Sequence, residues 1–508
     1  MLSLWHLFSL PYWRRVWIVQ EAALTNFDSP VMWGPYCVST RQLQSAAQYI
    51  DTNAALARGI TYAIGSHVPK QWGGLNEAFT GDRSLENRST APGRLWKLTS
   101  QVLRSAGESQ STDDLSSILD VLRLIQLANC TDPRDKVFAI LSTAALRLRV
   151  QMRSDYTCKL GEVFRLFSTQ LFQHGDLNTL RLVQAPVAPL HITWQLQIKP
   201  WTISERLRLD YHSPWLPKSN FSKNWVMFKD SLKGRRPRKI AVPACIHELP
   251  SWTICLECPT APVLSLPDRF RAGVLLFDAV KNSTSISNGI LTTNGVFIDT
   301  LTTLSAFNAR EDSKVYPVNS GTESSNAATN LESVQEALCR TLLADTMPDT
   351  SPVPQDLCLR HILLDRRLWT ATTLISRHYR EGYDLEAFYY RNKELRISGF
   401  PLKELLDRHS SAAGFLDSEA SDIITRATNV LAWRRLVCTK VGRIGLVPAH
   451  AQRNDRVAIL QGCEVPLIFR EQGDMWRLIG ECYLHGIMRD EAHSRDDWRG
   501  RIESIRIC

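Results

Sequence analysis

The feature of this sequence that most restricts its fold is a series of short apolar segments between residues 431 and 492. Residues 434–448 predict two strands around a glycine turn, 455–460 predict a third, and 465–470 and 476–483 predict two more. Several short strands separated by Gly, Asn and Asp are typical of small antiparallel barrels. We therefore predict a small C-terminal antiparallel β-barrel-like domain over 431–492 and expect it to fold when expressed alone.

The composition is that of an ordinary folded protein, because 44% of the 508 residues are hydrophobic and 22% are charged. No stretch approaches about 18 uncharged apolar residues, so the sequence predicts no membrane-spanning helix. The apolar residues 1–10 also lack the basic leader of a secretory signal. We expect a cytoplasmic protein whose 12 scattered cysteines are thiols.

The densest local pattern is near the start, where Pro11 opens a segment with helical spacing of large side chains. This spacing predicts a helix over 11–24 with one buried face. A carboxylate on such a face needs an ion-pair partner or a functional role, and Arg14 and Arg15 are candidate ion-pair partners. The residues of the predicted face are Trp13, Trp17, Gln20, Glu21 and Leu24.

Three segments resemble the fungal heterokaryon-incompatibility (HET) proteins. Residues 12–21, Tyr-Trp-Arg-Arg-Val-Trp-Ile-Val-Gln-Glu, resemble the signature helix of the HET domain. Residues 131–141, Thr-Asp-Pro-Arg-Asp-Lys-Val-Phe-Ala-Ile-Leu, resemble the block that follows it. Residues 480–488, Gly-Glu-Cys-Tyr-Leu-His-Gly-Ile-Met, resemble the ending of many such proteins. The motif residues that the resemblance singles out are Arg15, Trp17, Gln20, Asp132, Arg134 and Asp135.

The resemblance implies a TIR-like or flavodoxin-like α/β domain, because HET domains look like distant relatives of TIR domains. In TIR domains a Trp-x-x-x-Glu helix carries the glutamate that cleaves NAD, and Trp17 and Glu21 have that spacing. Glu21 is therefore a tentative catalytic residue, with NAD as substrate and no cofactor. The opening strand motifs of HET domains do not occur before Pro11, so we expect a HET domain truncated at its N-terminus. Catalysis stays open, because the nucleotide-facing half would be missing.

The segment Asp132-Pro-Arg-Asp135 has two interpretations. Its charged groups suggest acid–base chemistry, whereas an Asp-Pro turn at a helix start explains the same residues without chemistry. We favour the second interpretation, in which Asp132 caps the turn and Arg134 and Asp135 brace it.

Two further clusters raise the question of metal and nucleic acid. Cys245, His247, Cys255 and Cys258 include one Cys-x-x-Cys, which is weak evidence for zinc, and we expect no metal site. The net charge of +9 arises largely in a basic linker over 181–245. No nucleic-acid module surrounds this linker, so nucleic-acid binding is not expected. A nuclear-import signal is a further interpretation of its core, Lys233, Arg235, Arg236, Arg238 and Lys239.

The predicted organisation begins with the partial HET domain and its helical extension over 1–180. After the basic linker we predict a β-rich segment over 246–310, with a hairpin turn at Asn294-Gly295. A low-complexity loop over 311–355 holds one helix near 331–344, a helical segment occupies 356–430, and the barrel-like domain closes the series. The fold class is α/β followed by an α+β region and the small barrel.

Three functions are compatible with this sequence. The first is a heterokaryon-incompatibility-type protein of nonself recognition and programmed cell death, in an incomplete copy, acting through protein partners or self-assembly. The second is a TIR-like NAD glycohydrolase that uses Glu21, since a carboxylate there would stabilise positive charge as the nicotinamide bond breaks. The third is a remnant without activity, or an interaction scaffold.

Overall fold

The structure is a computed structural model, and it describes the following residues: 12, 15–18, 20–21, 28–43, 45–46, 115–143, 146, 149–183, 245, 247–258, 264, 270–278, 280–281, 283–306, 331–347, 352–354, 363, 385, 388–389, 391–406, 418–431, 434–489, 491 and 496–508.

The architecture of the described residues is mixed α/β, and it is organised around one large nine-stranded sheet. The strands predicted from the sequence over 434–483 are present, and further strands join them. The strands of this sheet are β3 (Ser285–Ser287), β4 (Ile290–Leu304), β7 (Arg434–Thr439), β8 (Ile444–Pro448), β9 (Arg456–Leu460), β10 (Leu467–Gln472), β11 (Met475–Glu481), β12 (Tyr483–Leu484) and β13 (Glu503–Ile507).

Five of these strands pair in a closed circle, which we call the strand ring: β4, β13, β11, β10 and β9. β4 pairs antiparallel with β13, β11 with β10, and β10 with β9, while β11 and β13 are parallel at Trp476 and Ile507. β9 then returns to β4, for example through Val296 and Ile459. Closure of this kind removes free edges and is the pairing pattern of a barrel. The other half of β4 continues into β7, β8 and β12.

Alternate side chains of the ring enter two different hydrophobic cores, as the two-residue period of a strand requires. In β9, Ala458 and Leu460 lie in the larger core, whereas Val457 and Ile459 lie in the second core. The sequence of β9, Arg-Val-Ala-Ile-Leu, is apolar without alternation because both of its faces are covered.

β4 shows why the predicted hairpin at Asn294-Gly295 is wrong. These two residues lie inside the 15-residue strand β4. The turn is at Asn288-Gly289, where φ is 50° and 75°, between β3 and β4. A Cβ on Gly295 would come within 2.6 Å of side-chain carbons of Ile505 and Leu460, so the glycine permits close approach of neighbouring strands.

The sheet crosses the predicted segment boundaries, because β4 lies in 246–310 while β7 to β12 lie in 431–492. The division of the chain into six segments stays a prediction. Within it, 431–492 holds only part of the strand ring.

The N-terminal part consists mainly of helices among its described residues. A two-stranded hairpin, β1 (Pro30–Trp33) and β2 (Tyr36–Ser39), precedes them. Up to residue 183 the described residues show this hairpin and one parallel bridge, Arg15 to Asn129, and the TIR-like or flavodoxin-like sheet implied by the resemblance is not seen in them. The helices are α1 (Leu115–Leu127), α2 (Asp135–Phe138), α3 (Leu160–Gln173) and a 3-10 helix (Leu177–Leu182).

Helical periodicity in the sequence places the buried side chains correctly. In α1, Ile118, Leu122 and Ile125 are buried, as their spacing predicts. α3 begins where the Glu162 carboxylate accepts the Lys159 backbone N–H at 3.2 Å, and its Phe164 and Phe167 are fully buried.

Further elements complete the larger core. The helix predicted near 331–344 is confirmed as α4 (Leu331–Leu343), which packs against α6 (Ser418–Leu431) and β8. Between these two helices lie the short hairpin β5 (Arg396–Ile397) and β6 (Phe400–Pro401), followed by α5 (Leu402–Leu406). The last helix, α7 (Asp496–Arg499), contributes the buried Trp498 to the second core.

Much of the predicted linker and loop sequence lies outside the described residues. This applies to 184–244, with the five basic residues of the suggested import signal, and to 307–330. In the described parts, no helix is both long enough and apolar enough to span a bilayer.

Candidate functional site

The tentative catalytic residue Glu21 lies at the surface. Its carboxylate accepts a hydrogen bond from the Tyr12 hydroxyl at 2.9 Å, and its backbone N–H donates to Trp17 O at 3.0 Å. Burial, followed by the Glu21 hydrogen bond, raises the pKa of Tyr12. The contact therefore holds the hydroxyl in its proton-donating form.

The predicted buried face of this segment is wrong where the structure describes it. Val16 and Ile18 are the buried residues, Trp17 and Gln20 are half-buried, and Glu21 is exposed. The reason is the pairing with the loop after α1, since Val16 N donates to Asn129 O at 2.9 Å. That pairing turns the chain before the helical residues start. Trp13 and Leu24 lie outside the described residues.

The structure shows Asp132 in a turn just before α2, but the predicted helix cap is wrong, because α2 begins at Asp135 with Arg134 at its N-cap and no side-chain cap hydrogen bond. Asp132 Oδ1 accepts the backbone N–H of Arg134 at 3.0 Å, and Asp132 Oδ2 pairs with Arg134 Nη2 at 2.7 Å. The side-chain hydrogen bond from Arg134 lowers the pKa of Asp132. A carboxylate held in this way is a stable anion and a poor proton donor.

Arg134 and Asp135 both brace the turn against residues 156–158. Arg134 Nη1 donates to the carbonyl oxygens of Tyr156 and Cys158, and the Tyr156 hydroxyl donates to Asp135 Oδ1 at 2.6 Å. The bond to Asp135 raises the pKa of Tyr156 to about 12, and the Tyr156 ring meets Phe138 edge-on at 5.1 Å. An open depression of about 600 Å³ lies between Thr131–Arg134 and Cys158–Leu160.

Three thiols, one from the last residue of the predicted basic linker and two from the segment after it, meet beside α2. We call them the cysteine trio: Cys245, Cys255 and Cys258. Their sulfur atoms all lie within 4.8 Å of one another. Cys258 Sγ is 3.8 Å from Cys245 Sγ, and the Cys258 backbone N–H points to Cys255 Sγ at 3.4 Å. These are the residues in the described part of the chain that could hold a metal ion.

The trio lies next to a buried cation and a His–Glu pair. Lys136, with 6% of its surface exposed, donates from Nζ to Gln126 O at 2.8 Å and to Leu256 O at 2.9 Å. His247 Nε2 is 2.7 Å from Glu257 Oε2. Burial lowers the pKa of Lys136, whereas a hydrogen bond from Cys255 lowers the pKa of Cys245 to about 5.

A buried ion network connects the N-terminal helices to the sheet. Glu481, at the end of β11, is fully buried and pairs with Arg181 Nε at 3.1 Å and with Arg434 Nη2 at 3.3 Å. Arg181 also reaches Glu464 at 3.2 Å, and the Leu264 backbone N–H donates to Glu481. All hydrogen-bonding atoms of the Glu481 carboxylate are engaged within the protein, which fits a structural role.

The sequence pattern did not reveal two of these partners. Arg181 follows a helix without a recognisable motif, and Lys136 lies inside the Thr-Asp-Pro-Arg-Asp-Lys block without standing out as buried. The motif residues themselves do not converge: Glu21 lies at the surface of the opening segment, whereas Asp132, Arg134 and Asp135 share one turn.

A comparison with protein families assigns the barrel region. Residues 413–500 match the family model of the Het-6 beta-barrel domain, a family associated with heterokaryon incompatibility. This range covers α6, β7 to β12 and α7, whereas β4 and β13 of the strand ring lie outside it. The chain thus contains a region similar to the Het-6 beta-barrel domain. No curated protein and no solved structure matches it significantly.

Proposed function

We propose that this chain is a heterokaryon-incompatibility-type protein that acts in fungal nonself recognition and programmed cell death through protein partners, including copies of itself. The observation that supports this proposal is the match of 413–500 to the Het-6 beta-barrel domain, a region that contributes three of the five strands of the closed ring. The bracing of Asp132, Arg134 and Asp135 supports a structural task for that motif.

Expression in a filamentous fungus tests the proposal. We expect induction of the full chain to arrest growth and to make hyphae permeable to a viability dye in some strain backgrounds and not in others. The difference between strains would reflect the partner that each strain supplies. An effect that is identical in all strains, or that does not exceed empty vector in any of them, would contradict nonself recognition.

Glu21→Ala separates this proposal from NAD hydrolysis. We expect the variant to cause the same strain-dependent arrest as the unmodified chain, because the Glu21 carboxylate lies at the surface and accepts a hydrogen bond from the Tyr12 hydroxyl. NAD consumption by the purified chain that disappears in Glu21→Ala would instead favour the glycohydrolase. Cytoplasmic location, with import through the basic run at 233–239, is a further part of the proposal.

A further inference from the structure

The spacing of the cysteine trio is that of metal ligands. Zinc bonds thiolate sulfur at about 2.3 Å, so a tetrahedral site holds neighbouring sulfurs about 3.8 Å apart. Cys258 Sγ and Cys245 Sγ are 3.8 Å apart, and all three sulfurs fall within 4.8 Å. A disulfide would need a separation of about 2.05 Å. Two of the thiols are half-buried and Cys258 is buried, so the trio lies below the surface.

A backbone N–H group in the trio points at a sulfur atom, as is common around thiolate ligands. The Cys255–Cys258 loop turns back on itself, so that the Cys258 N–H faces Cys255 Sγ at 3.4 Å. The loop is fixed from outside by Gln126 Nε2, which donates to Cys255 O at 3.3 Å, and by the buried Leu256. Outer contacts of this kind orient ligands before a metal binds.

The charges near the trio also fit a metal–thiolate centre. One zinc ion with three thiolates carries a net charge of −1, and a buried negative centre needs a nearby cation. Lys136 supplies that cation, because its Nζ binds the carbonyl of Leu256, the residue next to Cys255. His247, two residues after Cys245 in the chain, has its Nε2 2.7 Å from Glu257 Oε2. A histidine ligand of zinc usually has such a carboxylate on its other nitrogen.

We propose that Cys245, Cys255 and Cys258 bind one zinc ion through their thiolates. The ion's role is structural: it closes 245–258, which carries the fully buried Trp252, on itself. Hydrogen bonds from Gln126 and Lys136 then hold this closed segment against the end of α1 and the start of α2. Zinc takes four ligands, so the fourth position is filled from outside the trio, either by water or by His247, which does not belong to the group of ligand atoms within 4.8 Å. Binding releases the protons of any of the three groups that are still thiols, and no electron transfer is involved.

Metal analysis of the full chain tests the proposal. The chain is purified with a tag that has no affinity for metal, from cells grown with added zinc, and its metal content is measured by mass spectrometry. We expect about one zinc per chain, and a loss of at least tenfold in Cys255→Ser and Cys258→Ser. The matched control is Cys37→Ser, which changes an exposed cysteine on β2 and should keep the full zinc content.

A second measurement on the unmodified chain does not depend on variants that fold. Cobalt(II) added after chelation should give the intense near-ultraviolet charge-transfer band of thiolate–cobalt bonds, and zinc should remove it. Alkylation of the trio should occur only after chelation. Failure of the unmodified chain to bind zinc or to give this band, or an intact mass lower by two hydrogens from a disulfide within the trio, would overturn the proposal. So would an equal loss of zinc in Cys37→Ser.

Discussion

Gly295 lies where β4 meets both β9 and β13. A Cβ at this position would come within 2.6 Å of Ile505 Cδ1 and Leu460 Cδ2 and 3.1 Å from Ile459 O. Two of these atoms end side chains that can move, but the third is backbone, so neighbouring strands would have to shift. Overpacking of this kind typically costs about 1–3 kcal/mol.

We expect Gly295→Ala to lower the free energy of unfolding by about 1–3 kcal/mol, measured by urea denaturation of the full chain. Gly500→Ala is the matched control, because no atom of the described residues lies within 4 Å of an added Cβ there. If both variants unfold at the same urea concentration, the close approach of β4, β9 and β13 is wrong.

At the scale of elements, Glu481 joins three parts of the chain through two arginines. It lies on β11, Arg434 lies on β7 and Arg181 lies on the 3-10 helix, and all three are buried. Neutralising the shared carboxylate removes the anion paired with Arg434 and one of the two anions paired with Arg181, in a buried environment. Removal of one partner of a buried pair costs about 3–5 kcal/mol.

Glu481→Gln should therefore destabilise the chain by about 3–5 kcal/mol and shift its urea midpoint strongly downward. Glu394→Gln makes the same chemical change in an exposed pair with Lys403, at 2.9 Å, and should leave the midpoint almost unchanged. Equal midpoints for the two variants would show that the buried network does not connect these elements.

Local elements were the part of the fold that the sequence predicted well. The apolar spacing of α1 and α4, and the turn residues between β7 and β11, depend on neighbours a few positions away. The turn at Asp132 was also predictable from adjacent residues, whereas the start of the helix was not, because α2 begins at Asp135 and not at Pro133.

Long-range pairing explains where the prediction failed. Two Asn-Gly pairs lie six residues apart, at 288–289 and 294–295, and both have the sequence of a tight turn. Only the second is enclosed by β9 and β13, which come more than 160 residues later. The cysteine trio was missed for a related reason. Its spacing in the sequence is irregular, and the sequence does not show that the three thiols come together in the folded segment 245–258, which packs against α1 and α2.

At the scale of the whole molecule, the region that matches the family model does not contain the whole strand ring. Residues 413–500 contain three strands of the ring, β9, β10 and β11, and lack β4 and β13. Without β4, β9 loses one of its two neighbours, and without β13, β11 loses one of its two neighbours. The strand pairing in the sheet therefore does not support the expectation that 431–492 folds alone.

We expect the fragment 431–492 to give a poorly dispersed amide spectrum and to melt without cooperativity, because unpaired strand edges expose backbone groups and apolar side chains. The fragment 285–508 holds every strand of the ring and should show wider dispersion and greater resistance to protease. Sharp, dispersed signals from 431–492 would mean that β4 is dispensable.

The closure of the ring by β13 also has a consequence for the time course of biosynthesis. β4 ends at Leu304 and β13 begins at Glu503, so about 200 residues separate the two. At a synthesis rate of roughly 5–20 residues per second, β4 waits about 10–40 s for this partner. During that interval the nascent chain carries a 15-residue strand that cannot yet complete its pairing, and contacts of such sequence separation form slowly. We therefore expect ribosome-associated chaperones to bind the incomplete nascent chain. The yield of folded protein should depend on these chaperones more strongly than the yield of a protein whose strands all pair with their neighbours in the sequence.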